Sequence, residues 1–186
     1  MDITVFTELE FFFRILIAGI CGGLIGYERN NRLKEAGIRT HLIVALAAAL
    51  IMVVSKYGFS DVTSFKGVAL DPSRIAAQIV TGVGFLGAGM IFVRNQTISG
   101  LTTAAGVWAT AGIGMTIGAG LYFLGIAATL LIVAAQMMLH KNFTWLNFPV
   151  AEQISMEIED TGDGIASIRD KLLSHSLEII SMKSRN

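Results

Sequence analysis

The stretch His41-Leu42-Ile43-Val44-Ala45-Leu46-Ala47-Ala48-Ala49-Leu50-Ile51-Met52-Val53-Val54-Ser55-Lys56-Tyr57 carries no ionisable side chain between its first histidine and Lys56. A helix rises about 1.5 Å per residue, so a run of this length reaches across most of a hydrocarbon core of about 30 Å. Four more runs of the same character follow the same logic, over residues 11–27, 75–93, 101–117 and 121–139. Together they predict an all-α transmembrane bundle of about five helices over residues 1–140, followed by a different kind of sequence over 141–186.

Composition agrees. Hydrophobic residues make up 53% of the 186-residue chain and charged residues 15%, against roughly 45–50% and about 25% in soluble domains. The mean hydropathy is +0.65. Fourteen Lys and Arg balance fourteen Asp and Glu, so no global field recruits nucleic acid. Asp2, Glu8 and Glu10 precede the first run where a secretory signal would be basic, and no small-x-small cleavage pattern follows it, so it reads as a retained helix. Cys21 is the single cysteine, which excludes an internal disulfide and a cysteine zinc site and fits small apolar packing.

Loop charge sets an expected orientation. With the N-terminus outside, Arg29, Arg32, Lys34, Arg39, Arg94 and Lys141 lie on the cytoplasmic side, and Lys56, Lys66 and Arg74 outside. The outer loop ends in Asp71-Pro72-Ser73-Arg74, an N-cap followed by a proline suited to the first helical position, so the third helix should start near Pro72.

Eighteen of the 20 glycines precede residue 140. The pairs Gly19/Gly23, Gly22/Gly26 and Gly114/Gly118 have the four-residue spacing that lets membrane helices approach closely. Gly82, Gly84, Gly87 and Gly89 are read as helix-packing positions on the same argument. The letters Gly82-Val83-Gly84-Phe85-Leu86-Gly87 match a dinucleotide fingerprint, but no strand leads into them and no acidic residue stands about 20 positions on, so nucleotide binding is excluded. Thr102, Thr103, Thr110 and Thr116, with Gln78 and Thr81, are expected to bond backbone carbonyls or neighbouring helices. A weak internal repeat relates Gly23-Leu24-Ile25, Arg29-Asn30 and Gly37-Ile38-Arg39-Thr40 to Gly89-Met90-Ile91, Arg94-Asn95 and Gly100-Leu101-Thr102-Thr103.

Ionisable residues inside spans usually mark function, and here they cluster at span ends. Arg14 stands four residues after Glu10, within pairing reach. Glu28, Arg39, Thr40, Asp71 and Arg74 are the candidate docking or gating residues, weighed against plain interfacial charge and helix capping. No metal site, cofactor site or catalytic constellation is legible, so no enzyme activity is expected.

After Pro149 the pattern turns soluble. Ile154, Met156 and Ile158 alternate as in a strand, Ile165, Ile168, Leu172 and Leu173 have helical spacing, and residues 177–182 read as a second strand. Such a cytoplasmic βαβ unit is too small to bury a core alone.

Gly26-Tyr27-Glu28-Arg29, Gly37-Ile38-Arg39-Thr40-His41, Asp71-Pro72-Ser73-Arg74-Ile75-Ala76-Ala77-Gln78, residues 81–89 and Gly100-Leu101-Thr102-Thr103-Ala104-Ala105, in collinear order, resemble the MgtC/SapB family, including its YhiD branch. The resemblance implies a bacterial inner-membrane protein with about five spans, tied to growth at low magnesium, in acid or under intracellular stress. It also implies a partial ACT-like domain in the tail. It further implies regulation of membrane partners, among them the proton-translocating ATP synthase, besides the lipid bilayer and further copies of the chain. Magnesium or other ion transport is the alternative, ranked second because a Mg²⁺ site wants octahedral oxygen ligands and usually carboxylates.

Overall fold

The computed structural model of the protein describes residues 5–31, 35–62, 65–67, 69–94, 97–140, 169–172 and 174. Most of the proposed βαβ tail lies outside these residues. The chain divides into two compact units, Met1–Lys141 and Asn142–Asn186, and the first holds the described bundle.

Among the described residues, five long helices run in order: α1 Val5–Asn30, α2 Ile38–Tyr57, α3 Ser73–Gly89, α4 Leu101–Gly118 and α5 Tyr122–His140. α1 lies along α2, and α4 packs against both. α3 leans on α2 and α4, and α5 on α1 and α4. Two of them, α1 and α2, are long and apolar enough by themselves to cross a bilayer.

The distribution of side-chain size explains how these apolar helices associate. The interior is built from Ala18, Cys21, Ala45, Ala48, Ala49, Ala104 and Ala111, with Ile25, Val107 and Ile117 filling between them. The large residues Phe6, Phe12, Phe13, Phe85, Phe123, Leu130 and Leu131 point outward and are at least half exposed. Water-soluble chains do not expose apolar surface on this scale. Small residues inside and large ones outside suit a lipid solvent, where helix contact rests on close packing.

The expected glycine spacings are used, though not all of them. A Cβ placed on Gly22 would sit 2.5 Å from the His41 carbonyl oxygen, and one on Gly26 would sit 2.6 Å from Ile38 Cα. On α4, Gly114 and Gly118 lie equally close to the carbonyls of Ala45 and Ala49, so α2 is held between α1 and α4 by backbone-to-backbone approach. Gly82, Gly84 and Gly89, read as helix-packing positions, do not pack against the described residues of this chain. A Cβ on any of these meets nothing within 4 Å, because α3 turns Ala76, Ile79, Val83 and Gly87 inward and the other glycines away. Gly87 itself faces Ala104 at an ordinary 3.6 Å.

Two further readings are revised. α3 stops at Gly89, and Phe92–Arg94 forms strand β1, paired antiparallel with β2, Thr97–Ser99, where the sequence suggested helix to residue 93. Gly100 closes this hairpin at φ +85°, a conformation that favours glycine, with its α-carbon against the Met90 carbonyl. The helix α3 also starts at Ser73, one residue later than expected, with Pro72 at the N-cap. Asp71 still serves that end. Its Oδ1 accepts from the Ser73 N–H at 2.9 Å and the Ser73 hydroxyl at 2.6 Å. Buried Ser55 of α2 completes the stitch by donating to the Pro72 carbonyl at 2.5 Å and accepting from the Ala76 N–H at 3.1 Å.

Candidate functional site

The helices gather the polar side chains at the two ends of the bundle. At one end, Arg14 enters from α1. Its Nη1 donates to the Tyr57 hydroxyl at 3.1 Å and to the Gly118 carbonyl at 3.2 Å, and its Nη2 donates to Glu10. The guanidinium lies 5.3 Å from the ring centres of Phe11 and Tyr57 and 5.9 Å from that of Tyr122. Gly120, at φ +94°, brings bare backbone onto the guanidinium plane. Nearby, Lys56 Nζ donates to the Ala119 carbonyl at 2.9 Å, placing a cation on the C-terminal dipole of α4. Arg14 therefore ties α1, α2, α4 and α5 together, with Glu10 of its own helix as its acidic partner.

Asp71 and Arg74 are exposed and pair with each other at 3.7 Å. The Ser73 hydroxyl and N–H hold the Asp71 carboxyl below the usual carboxylate range, with Arg74 adding to the effect. A carboxyl depressed this way contributes stability above the ordinary carboxylate range, and that contribution is lost as pH falls through its folded value. Since both side chains are exposed, the cap explains their geometry with little energy in the ion pair.

The opposite end is where the sequence-predicted residues meet a buried network. Glu28 and Arg29 end α1 and are both buried, at 8% and 6% exposure. Arg29 Nη2 donates to Thr103 Oγ1 of α4 at 3.1 Å, and the Thr103 hydroxyl donates to Glu35 Oε2 at 3.4 Å. Deeper along the same face of α4, the Thr110 hydroxyl donates to the Gly106 carbonyl at 2.8 Å, and His41 Nδ1 of α2 lies 2.7 Å from Thr110 Oγ1. Arg39 is exposed and Thr40 half-buried at this end. The structure thus separates the candidate set: Glu28, Arg39 and Thr40 stand at one end of the bundle, and Asp71 and Arg74 at the other.

Sequence reasoning reached Glu28 and Thr110 but not the Arg29–Thr103 bond or the position of Gln136 beside Gly106. The signal was present in the small and polar stripe Thr103, Gly106, Thr110, whose spacing of three and four places all three on one helix face. Thr81, Thr110 and Thr116 behave as expected, each donating to the carbonyl four residues back, and Thr129 does the same. The fingerprint letters 82–87 fall within α3, and no strand precedes them among the described residues.

These features define an integral membrane protein whose polar chemistry sits at the ends of a tightly packed helical bundle. The MgtC family model matches residues 15–144, and the chain belongs to that family. It is 56% identical over 132 residues to the YhiD protein of Escherichia coli (strain K12), whose name carries a provisional magnesium-transporter assignment. That match covers 71% of this chain and 61% of the relative, so the chain spans about three fifths of the length of the YhiD protein. It is also 36% identical over 183 residues to Protein MgtC of Brucella abortus (strain 2308), covering 91% of this chain and 74% of the relative. An uncharacterized Synechocystis protein is 33% identical over 183 residues, with 95% and 75% covered. No solved structure matches.

Proposed function

We propose that the protein is a multi-pass regulator of the bacterial inner membrane that supports growth at low magnesium by acting on a membrane-protein partner, of which the proton-translocating ATP synthase is one. The observation that carries this reading is the hairpin β1–β2. It sits at the Glu28 end of the bundle and leaves Phe92, Val93 and Ile98 between 55% and 72% exposed. An isolated two-stranded hairpin with apolar side chains uncovered on both faces is poorly stable alone, and a partner surface would cover it. Magnesium transport is the second reading, supported by the printed name of the YhiD relative.

In this account Glu28 is a docking or gating carboxylate. Glu28→Gln keeps the shape of a buried side chain and removes its charge, so it is expected to abolish growth support at low magnesium at normal membrane abundance. Asp71→Asn keeps an acceptor for the Ser73 N–H and should be silent if Asp71 only caps α3. Full growth by the Glu28 variant, with protein level verified by blot, returns Glu28 to an anchoring role.

Orientation follows the loop charges, with the N-terminus outside and residues 141–186 in the cytoplasm. Cys21 is buried, so a single Lys183→Cys replacement provides the accessible thiol. An impermeant maleimide is expected to label it in inside-out vesicles and not in intact cells. Labelling of intact cells would invert the topology.

A further inference from the structure

The inner end of the α4 polar stripe holds two side-chain atoms that form no hydrogen bond with the described residues. His41 is fully buried, and its Nε2 meets no hydrogen-bond partner; the same is true of Oε1 of Gln136 on α5. The two side chains border the same spot. A Cβ built on Gly106 would lie 3.5 Å from His41 Cε1 and 3.9 Å from Gln136 Nε2. Thr110 has one hydroxyl hydrogen and two acceptors in reach, the Gly106 carbonyl at 2.8 Å and His41 Nδ1 at 2.7 Å. With that hydrogen on the carbonyl four residues back, the usual bond of a helix threonine, Nδ1 is the donor and Nε2 of the neutral ring an acceptor.

Two buried acceptors left without a hydrogen bond are costly. Space beside them is also set by composition, since glycine leaves about one methyl group of room in ordinary contact with both side chains. We propose that the Gly106 notch binds a single small neutral hydrogen-bond donor, a water molecule, which donates one hydrogen to His41 Nε2 and the other to Gln136 Oε1. A buried water needs two to four polar partners, and this notch supplies two. The bound water links α2 to α5 across α4, nearly a turn and a half inside the start of that helix. Glycine at position 106 is then a binding residue whose missing side chain is the site.

Sterics and hydration make opposite forecasts for Gly106→Ala. With an empty notch the added methyl makes ordinary contacts, and alanine favours the helix by about 1 kcal/mol over glycine. With the water present, the methyl displaces it and strands both acceptors. The full chain in lipid nanodiscs, carrying His140→Gln and His175→Gln so that His41 is the only histidine, allows ¹⁵N NMR of one imidazole. The expected spectrum shows an Nδ1-protonated ring with a water-to-imidazole cross-peak. Gly106→Ala should erase the cross-peak and lower the melting temperature by a few degrees. In a Gln136→Leu background, where one acceptor is already gone, the same substitution should lower it less. The proposal is overturned by an Nε2-protonated ring bonded to the Ala36 carbonyl, which also faces the imidazole. It is overturned equally by a Gly106→Ala protein that is as stable as the parent and never showed the water contact.

Discussion

Replacing Gly114 or Gly118 with leucine is expected to remove the folded bundle from detergent extracts. The reason is the identity of the neighbours. A Cβ at either position falls 2.5–2.6 Å from a main-chain carbonyl oxygen of α2, where real Cβ atoms essentially never approach within 3.0 Å. A flexible side chain could swing aside, but a helix backbone cannot move without dragging its own hydrogen bonds. Overpacking costs typically about 1–3 kcal/mol, and a clash against backbone belongs at or above the top of that range. The matched control is Gly84→Leu, whose added atoms enter open space within the chain. Melting temperature in mild detergent separates them: the α4 variants should aggregate or melt far below the parent, and the α3 variant should melt with it. Equal loss at all three positions would mean that the outward face of α3 is packed as tightly as the inward face of α4.

The second large effect is expected at Arg14. Alanine there deletes donors to the Tyr57 hydroxyl, the Gly118 carbonyl and Glu10, and removes the cation from among three aromatic rings. Charge-assisted hydrogen bonds contribute about 1.5–3 kcal/mol each and exposed to desolvated cation–π contacts about 0.5–2, with strong non-additivity, so a total loss on the order of 3 kcal/mol is expected. Lysine keeps the charge but not the planar fork that reaches two acceptors at once, and should recover only part of the loss. Thermal melting of Arg14→Ala and Arg14→Lys beside the parent checks the order. An alanine variant as stable as the parent would show that the four-helix junction is held by apolar contact alone.

The positions of the helices were largely legible because each apolar run is long, and its ends are marked by charge or glycine. α2, α4 and α5 end within a few residues of the runs read from the sequence. The end of α3 was not legible, because Met90-Ile91-Phe92-Val93 is apolar in a helix and equally apolar in a strand; only the pairing of Val93 with Ile98 decides it. Glycine spacing identified the close approaches at Gly22, Gly26, Gly114 and Gly118. It did not set them apart from Gly82, Gly84 and Gly89, which meet no described neighbour within 4 Å, because small size does not say which face of a helix meets a neighbour. At the candidate site, Glu28 was visible as a carboxylate at a span end and as part of a family-like motif. The bonds Arg29–Thr103 and His41–Thr110 join residues 74 and 69 positions apart. Such pairs depend on how three helices are rotated about their axes, which local periodicity does not specify.

Regulation through a partner is separated from transport by one paired measurement. The protein is purified from native membranes in mild detergent and the copurifying proteins identified. The same protein, alone in liposomes, is then assayed for magnesium flux. A stoichiometric membrane-protein partner is expected, lost when Phe92 and Ile98 are replaced by serine, with no flux above protein-free liposomes. Magnesium flux from the protein alone, with no partner retained, would contradict it.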